Sequence, residues 1–379
     1  MNEKILEEIF SYAVETRRQL HQYPEVCFDL PKTIALVSEE LEKMGIDYTY
    51  KYGKSSVAAE IGSGDKIIAL RADMDALPVE EKTDLPYASK IKGKMHACGH
   101  DAHTAILLAT AKYLKMHEDD LKVRVRLIFQ PSEECSESGA KMMVDNGVMD
   151  GVDHIICTHC DNRIESGKIG LRAGDYMTAC VPIIVKFYGK TAHATAPADG
   201  IDAIAMAHTA YTRLKEKVAQ LAGDRRYIWS VGKFAGGTAH NVISDFCQMD
   251  ISFRHYDMDF ADKVIASTYE ICQDIADDFG GKMDIDWIMS TGPVNNDQSI
   301  VEKFKGIALS NGVGVVTAEQ EMASEDFGWY LTKAPGMLFR FGTRNEELGC
   351  TTTLHCNDFK IDEVGMKIAL KSFIGYVLD

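Results

Sequence analysis

The stretch Met95-His96-Ala97-Cys98-Gly99-His100-Asp101-Ala102-His103-Thr104 concentrates one thiol, three imidazoles and a carboxylate in a short segment. An apolar run with helical spacing follows at residues 105–116 and can hold this segment rigidly. Thiol and imidazole groups in such a cluster are typical metal ligands. Cys98 and His100 are only one residue apart, too close for a zinc-finger knuckle. If both bind metal, the remaining ligands must come from distant loops.

The N-terminal part of the chain has the pattern of an α/β domain. Helices are predicted at 3–22, 32–44, 105–116 and 137–146, and strands at 56–61, 66–72, 122–130 and 154–159. Strands that alternate with helices predict parallel βαβ units, in which ligands bind beyond the carboxyl ends of the strands. The polar residues expected at those ends are Asp73, Asp75, Cys98, His100, Glu133, Glu134 and His159.

A different pattern begins near Gly174. The predicted order from there is strand, helix, strand, strand, helix, strand, which is typical of a ferredoxin-like sandwich. We therefore predict an inserted α+β domain at residues 175–292. Residues 1–174 and 293–379 would form one α/β domain with a mixed, mainly parallel sheet and helices on both faces, closed by a strand at 336–341 and a helix at 360–377.

Length and composition narrow the class of protein. A chain of 379 residues is long enough for two domains, and its 46% hydrophobic and 26% charged residues are ordinary for a globular protein. A net charge of −16 argues against nucleic-acid or anionic-membrane partners, which need a basic face. The charged N-terminus is no secretory signal, and no apolar run is long enough for a membrane span. The ten scattered cysteines are typical of reduced thiols, so we expect a cytoplasmic protein.

The residue types point to a dinuclear hydrolytic site. Such a site needs about four ligands per metal, a bridging group and a carboxylate outside the ligand set that can accept a proton from the attacking water. Glu133 stands beside Glu134, so one carboxylate can face the metals while the other acts as general base. The candidate ligands are Cys98, His100, Glu134, His159 and His355.

Each of these residues also has an ordinary structural interpretation. A lone Cys98 is more often a small buried hydrophobe, although the adjoining Gly99-His100-Asp101 favours a ligand. Glu133 and Glu134 fit a helix N-terminus equally well. Asp73 and Asp75 either cap a strand end or hold a ligand imidazole in one tautomer, and we favour the second role.

Seven motifs together resemble the M20 metallopeptidase family, and more closely its amidohydrolase branch of hippurate hydrolases, aminoacylases and auxin-conjugate hydrolases. They extend over nearly the whole chain in the family's order. The motifs are Leu70-Arg71-Ala72-Asp73-Met74-Asp75-Ala76-Leu77-Pro78, residues 95–104, Gln130-Pro131-Ser132-Glu133-Glu134, Thr191-Ala192-His193-Ala194, residues 236–243, Ser324-Glu325-Asp326-Phe327 and Leu354-His355.

The resemblance implies two divalent metal ions per subunit, manganese or zinc before cobalt or nickel, with Cys98 as a bridging ligand and Glu133 as general acid and base. It implies that the inserted domain serves as lid and homodimer interface, and that His193 reaches the partner's site to stabilise the oxyanion. Asn241 would bind substrate or oxyanion, and Arg254 would pair with a substrate carboxylate. From the residues alone, a surface loop histidine is the preferred interpretation of His193, and a solvated strand residue is an equally good interpretation of Arg254. Asp75 is taken as catalytic.

Three segments depart from the family pattern. Cys135-Ser136-Glu137-Ser138-Gly139 replaces a glycine-rich stretch after Glu134, and the usual prolines are missing near His159 and His355.

The expected activity is hydrolysis of an N-acyl amino acid or related amide. A dipeptidase or aminopeptidase, a cysteine hydrolase with Cys98 as nucleophile, and a non-catalytic metal-binding relative are the alternatives.

Overall fold

The computed structural model describes residues 2–379 and divides them into two compact units. Unit 1 comprises the residues up to Tyr176, Val294–Gln320 and Asp326–Asp379. Unit 2 comprises Met177–Pro293 together with the five-residue segment Glu321–Glu325. No sequence pattern indicated that this short segment, far along the chain, belongs with unit 2. Among the described residues, no helix combines the length and apolar character that crossing a membrane requires.

Unit 1 is built on an eight-stranded sheet flanked by helices. Before unit 2 its elements are α1 (Glu3–His21), α2 (Pro31–Lys43), β1 (Tyr48–Thr49), β2 (Val57–Ile61), β3 (Ile67–Asp73), α3 (His100–Met116), β4 (Arg124–Gln130), α4 (Gly139–Asp145), β5 (His154–Glu165), β6 (Lys168–Leu171) and β7 (Gly174–Met177). The elements of unit 2 are β8 (Ala179–Tyr188), β9 (Ala192–His193), α5 (Ala203–Ala222), β10 (Ile228–Gly236), β11 (Val242–Ile243), β12 (Phe246–His255), α6 (Met258–Phe279) and β13 (Lys282–Trp287). Unit 1 resumes with β14 (Val294–Asn296), α7 (Gln298–Ser310), β15 (Gly314–Thr317), α8 (Gly328–Leu331), β16 (Gly336–Arg344) and α9 (Val364–Leu378).

The strand order of the unit 1 sheet is β1-β2-β4-β3-β5-β16-β6-β15. Neighbours at its centre, from β4 through β3 and β5 to β16, run parallel. β3 and β4 end side by side, with Asp73 opposite Gln130. This confirms the predicted α/β class with a mainly parallel sheet, and it brings the carboxyl ends of the central strands to one edge.

Helix α3 lies in the core of unit 1. Its residues from His100 to Ala111 are all buried, and apolar side chains such as Ile106 and Leu108 are inaccessible to solvent. Burial on every face over this stretch shows that the helix is surrounded by the rest of the unit. The apolar run at 105–116 therefore fixes the position of the Cys98–His100 turn that precedes it.

One sequence-based expectation about unit 1 is wrong. The strand predicted to end at His159 continues to Glu165, because β16 pairs along it as far as Arg344 opposite Glu165. His159 therefore lies within a strand. Strands β2 and β3, although consecutive in the chain, do not pair with each other. Each borders β4, which runs antiparallel to β2 and parallel to β3.

Unit 2 contains a four-stranded antiparallel sheet in the order β10-β12-β8-β13, and helices α5 and α6 cover one of its faces. In β8 every second residue is fully buried, which is the alternation expected when a sheet packs on one face only. The core of this unit is formed by apolar residues of those strands and helices, such as Phe187, Leu214 and Phe253.

The expectation that all cysteines are reduced is also wrong. Cys27 and Cys135 form a disulfide that closes a separation of 108 residues, with their Cα atoms 5.7 Å apart. Nothing in the spacing of these two residues reveals the pair, because the proximity of Cys135 to the α1–α2 loop is set by the fold. The bond joins that loop to the segment that carries Glu133 and Glu134.

Candidate metal centre

The turn before α3 depends on a glycine. Gly99 adopts a φ of +84°, in the left-handed region, and a Cβ there would collide with the sulfur of Cys160. With glycine at this position the chain turns sharply, and α3 begins at the very next residue, His100. Cys98 and His100 are thereby presented at the buried start of the helix.

The structure brings all five predicted ligands together inside unit 1. Ligand atoms of Cys98, His100 and His159 lie within 4.8 Å of one another, and so do those of Cys98, Glu134 and His355. The two groups share the Cys98 thiol, which is the arrangement of two neighbouring cation sites with one bridging ligand. Glu133, Glu134 and His100 form a further group within the same distance. The carboxylate of Glu133 therefore lies next to the ligands.

His159 is held in the tautomer that a metal ligand needs. Its Nδ1 donates to the backbone oxygen of Cys160 at 2.8 Å, which leaves Nε2 with a lone pair, 3.4 Å from the sulfur of Cys98. Burial, and then the charge of Arg340, lower the pKa of His159 well below its usual range. The ring is therefore neutral near pH 7.

His100 has the features of a cation ligand in an acidic pocket. Among residues 2–379, no group makes a hydrogen bond of normal length to either of its ring nitrogens. Nδ1 is 3.5 Å from Asp75 and Nε2 is 3.9 Å from Glu134. Burial alone would lower the pKa of His100, but Asp73, Asp75 and Glu134 outweigh it and raise this pKa to about 10. The pocket thus attracts positive charge.

The thiol of Cys98 lies in the same buried, acidic surroundings as His100. Burial, and then the carboxylates of Glu134 and Glu133, raise the pKa of Cys98 well above its usual range. A cation bound between these groups would reverse the effect, because coordination deprotonates a thiol. The donor set of one thiolate, three imidazoles and one carboxylate therefore fits divalent ions of the zinc type.

The loop of residues 131–138, here called the Glu133 loop, is fixed at its start by Asp75. The two carboxylate oxygens of Asp75 accept from the backbone N–H groups of Glu133 at 3.0 Å and Glu134 at 3.1 Å. Ser132 takes a φ of +54°, a conformation that a side chain disfavours and that the surrounding contacts must stabilise. Asp75 therefore orients the loop, so its effect on the chemistry passes through Glu133 and Glu134.

His355 enters the cluster from near the C-terminus. Its backbone N–H donates to the oxygen of Ala97, directly before Cys98, and its Nε2 lies 3.1 Å from Glu134. It also has a positive φ of +67°. Unlike the other histidines of the cluster it is more than half exposed, at 54% of its side chain. The His355 imidazole therefore lies on the side of the cluster that faces solvent.

One residue of the cluster was missed in the sequence. His103 Nδ1 donates to Asp73 at 2.6 Å, and its Nε2 accepts from the backbone N–H of Cys160 at 3.0 Å. Asp73 was expected to hold a ligand imidazole. The imidazole at hydrogen-bond distance from the Asp73 carboxylate belongs to His103, whereas Nε2 of His100 is 3.8 Å from that carboxylate. The spacing of His100 and His103, three residues apart on one helix face, was the available signal.

The predicted substrate-binding residues lie in unit 2. His193 is exposed, opposite Val242 in a two-stranded ribbon, and its Nδ1 is 2.8 Å from the hydroxyl of Thr195. Asn241 is exposed beside it, and its backbone oxygen accepts from the N–H of Ala194. Arg254 is half-buried and donates to the hydroxyl of Ser324 at 3.0 Å and to the oxygen of Met322 at 3.2 Å.

The chain is similar to proteins of one peptidase family. Residues 69–379 match the profile of peptidase family M20/M25/M40. The N-acetyl-L-cysteine deacetylase of Bacillus subtilis is 37% identical over 353 residues, 92% of this chain and 83% of that protein. Thermostable carboxypeptidase 1 of Saccharolobus solfataricus is 36% identical over 368 residues, 95% of this chain and 93% of that one. A Bacillus subtilis crystal structure described as a dinuclear metal binding peptidase of family M20 has a TM-score of 0.84 and 31% identity, covering 98% of both chains.

Proposed function

The chain belongs to peptidase family M20/M25/M40, and we propose from this membership that it is a metal-dependent hydrolase of the amide bond of N-acyl amino acids. The observation that carries the proposal is the pair of ligand groups that share Cys98, with Glu133 beside them. A similar protein named as an N-acetyl-L-cysteine deacetylase supports this substrate class.

Cys98, His100 and His159 would hold one divalent ion, and Cys98, Glu134 and His355 the other. When bound, such ions polarise the substrate carbonyl and make water acidic enough to be deprotonated near pH 7. Glu133 accepts the proton of the attacking water and then delivers it to the nitrogen of the leaving amine. Asp75 keeps Glu133 and Glu134 in register for these roles through its bonds to their N–H groups.

The thiolate and imidazole donors favour zinc, and the carboxylate also allows manganese, cobalt or nickel. Zinc and manganese are the ions we propose first. Elemental analysis of protein purified without added metal identifies the ion.

Unit 2 carries three polar residues that we propose to act on the substrate. His193 donates to the oxyanion that forms when water attacks, Asn241 donates to substrate or oxyanion, and Arg254 pairs with the substrate carboxylate. His193 and Asn241 are close in the fold, because His193 pairs with Val242 and the backbone oxygen of Asn241 accepts from the N–H of Ala194.

A homodimer through unit 2 is proposed from its sheet edge. β10 is an edge strand, and most of its residues are exposed, including Phe234 at 45%. An open edge with exposed apolar side chains favours pairing with a second copy. We also propose a cytoplasmic location, because eight of the ten cysteines are free thiols; the Cys27–Cys135 disulfide would there be exposed to a reducing environment.

The test is a hydrolysis panel with metal-replete protein. N-acetylated and longer N-acylated amino acids are compared with free dipeptides, and each reaction is repeated after chelator treatment. We expect release of free amino acid from the N-acyl substrates, its loss on chelation and its return on adding zinc or manganese. Failure to cleave any amide at full metal content contradicts the proposal.

The relative named as a carboxypeptidase favours a second candidate function. Both activities require a free carboxylate on the product amino acid, so the acyl side separates them. Faster cleavage of N-blocked dipeptides than of N-acetyl amino acids would indicate a carboxypeptidase. The reverse preference would indicate a deacylase. Resistance to thiol alkylation when metal is bound distinguishes both from a cysteine hydrolase that uses Cys98.

A further inference from the structure

Asp326, which the reaction proposed above does not use, lies at the centre of a buried hydrogen-bond network. It is 1% exposed. Its Oδ1 accepts from Arg71 Nη2 at 3.0 Å, its Oδ2 from the Ser138 hydroxyl at 2.7 Å and the Ala140 N–H at 3.1 Å, and both oxygens lie 2.9 Å from Gln130 Nε2.

Every one of these partners is a donor. Arg71 and the backbone N–H of Ala140 can only donate. Gln130 must present its amide nitrogen to Asp326, because its oxygen accepts from Arg71 at 2.8 Å and from Tyr330 at 3.0 Å. The Ser138 hydroxyl accepts from the N–H of Lys141, which directs its own hydrogen to Asp326. The site therefore requires a group that only accepts, namely an ionised carboxylate.

The donors belong to three segments that build the metal centre. Arg71 also donates to Asp73 at 2.6 Å at the end of β3, and Gln130 is the last residue of β4. Ser138 and Ala140 lie where the Glu133 loop ends and α4 begins. Asp326 therefore joins the C-terminal end of the Glu133 loop to strands β3 and β4.

We propose that Asp326 is a positioning residue that holds Glu134 and Glu133 in place through the Glu133 loop. Asp75 fixes the start of the loop by the N–H groups of Glu133 and Glu134, and Asp326 fixes its end by Ser138 and Ala140. The inference rests on the proposed function, in which Glu134 is a ligand and Glu133 the general base. Since Glu134 belongs to only one of the two ligand groups, loosening the loop affects one ion more than the other.

The experiment titrates Co²⁺ into metal-free protein and follows its visible absorption, including the charge-transfer band of the Cys98 thiolate. In Asp326→Asn an amide N–H₂ replaces an acceptor among donors, so the loop loses its anchor. We expect wild type to bind two equivalents tightly. The variant should bind one as tightly and the second roughly 10- to 100-fold more weakly, with a similar fall in kcat and little change in KM.

Two further variants complete the design. Ser138→Ala cuts one link between the loop and Asp326 but keeps every buried charge, and it should weaken the second Co²⁺ equivalent by a smaller factor. If Asp326→Asn does not fold, Ser138→Ala decides alone. Asp362→Asn is the matched control, a buried carboxylate of unit 1 that accepts from Asn345 and from the N–H of Val364, and it should leave the titration unchanged.

Folded Asp326→Asn and Ser138→Ala proteins with wild-type Co²⁺ titrations and kcat would overturn the proposal. The titration needs no turnover. An inactive wild-type protein that binds Co²⁺ normally would therefore count against the proposed function and leave this inference to be decided by the variants.

Discussion

The two units of the molecule differ in how much of their candidate chemistry they contain. In unit 1, five side chains from four segments of the chain meet, and four of them lie in buried or nearly buried surroundings. In unit 2, His193 and Asn241 stand exposed on a short ribbon, and Arg254 is bonded to the segment Glu321–Glu325 of its own unit. Unit 1 brings together the side chains that we propose as ligands of a dinuclear centre, whereas unit 2 carries the side chains that we propose as donors to the substrate.

Because of this difference, we expect substitutions to affect metal binding and turnover separately. Side chains that hold cations must be positioned before the ions arrive, so burial and dense hydrogen bonding in unit 1 are what a preformed site requires. Donors that act on a transition state need to meet it only during the reaction. Substitutions of the proposed ligands in unit 1 should therefore change metal content, and those of the proposed donors in unit 2 only the rate.

The largest effect is expected from Cys98→Ala, because both ligand groups use this thiol. We expect the purified variant to lose both ions and its activity to fall to background, as measured by elemental analysis and by the N-acyl amino acid assay. Cys247→Ala, which removes a fully buried free thiol from unit 2, is the matched control and should keep both ions. Two ions per chain in Cys98→Ala would break the comparison.

Glu133→Gln should separate base from ligand within unit 1. The amide keeps the shape of the side chain but cannot accept the proton, so kcat should fall by roughly 10²- to 10⁴-fold with both ions retained. Glu137→Gln, an exposed position on the same loop, serves as control and should have wild-type kcat. Unchanged kcat in Glu133→Gln contradicts the assignment of the base.

His193→Ala tests unit 2. Loss of one oxyanion donor should lower kcat by roughly 10²- to 10³-fold without changing metal content. His208→Ala, another exposed histidine of that unit, is the control. If His193 acts in the partner's site, mixing the inactive His193→Ala and Glu133→Gln subunits should restore activity that neither has alone. Loss of metal in His193→Ala would refute the division between the units.

The smallest effect on activity is expected from Cys27→Ser. The disulfide with Cys135 ties the Glu133 loop to the α1–α2 loop, so without reductant its loss should lower the free energy of unfolding by about 2–4 kcal/mol. With a dithiol present, wild type and variant should unfold alike. Equal stability in both conditions, or full thiol labelling of the unreduced wild type, would show that the bond does not form in solution.

The sequence predicted most helices and strands of unit 1 because these depend on local signals, and the residues it offered as ligands lie close together in the structure. The apolar run at 105–116 becomes the buried helix α3, and its position places Cys98 and His100 at the end of the sheet. The features that the sequence did not predict depend on tertiary contacts. β16 extends β5 past His159, Cys27 meets Cys135, and Asp326 meets Ser138 across a separation that no periodicity encodes.

The most direct test of the central claim is anomalous diffraction from crystals of the metal-loaded protein, collected on both sides of the absorption edge of the bound ion. We expect two peaks in unit 1 that share the sulfur of Cys98, one near His100 and His159 and the other near Glu134 and His355. A single peak, or peaks away from Cys98, would contradict the central claim.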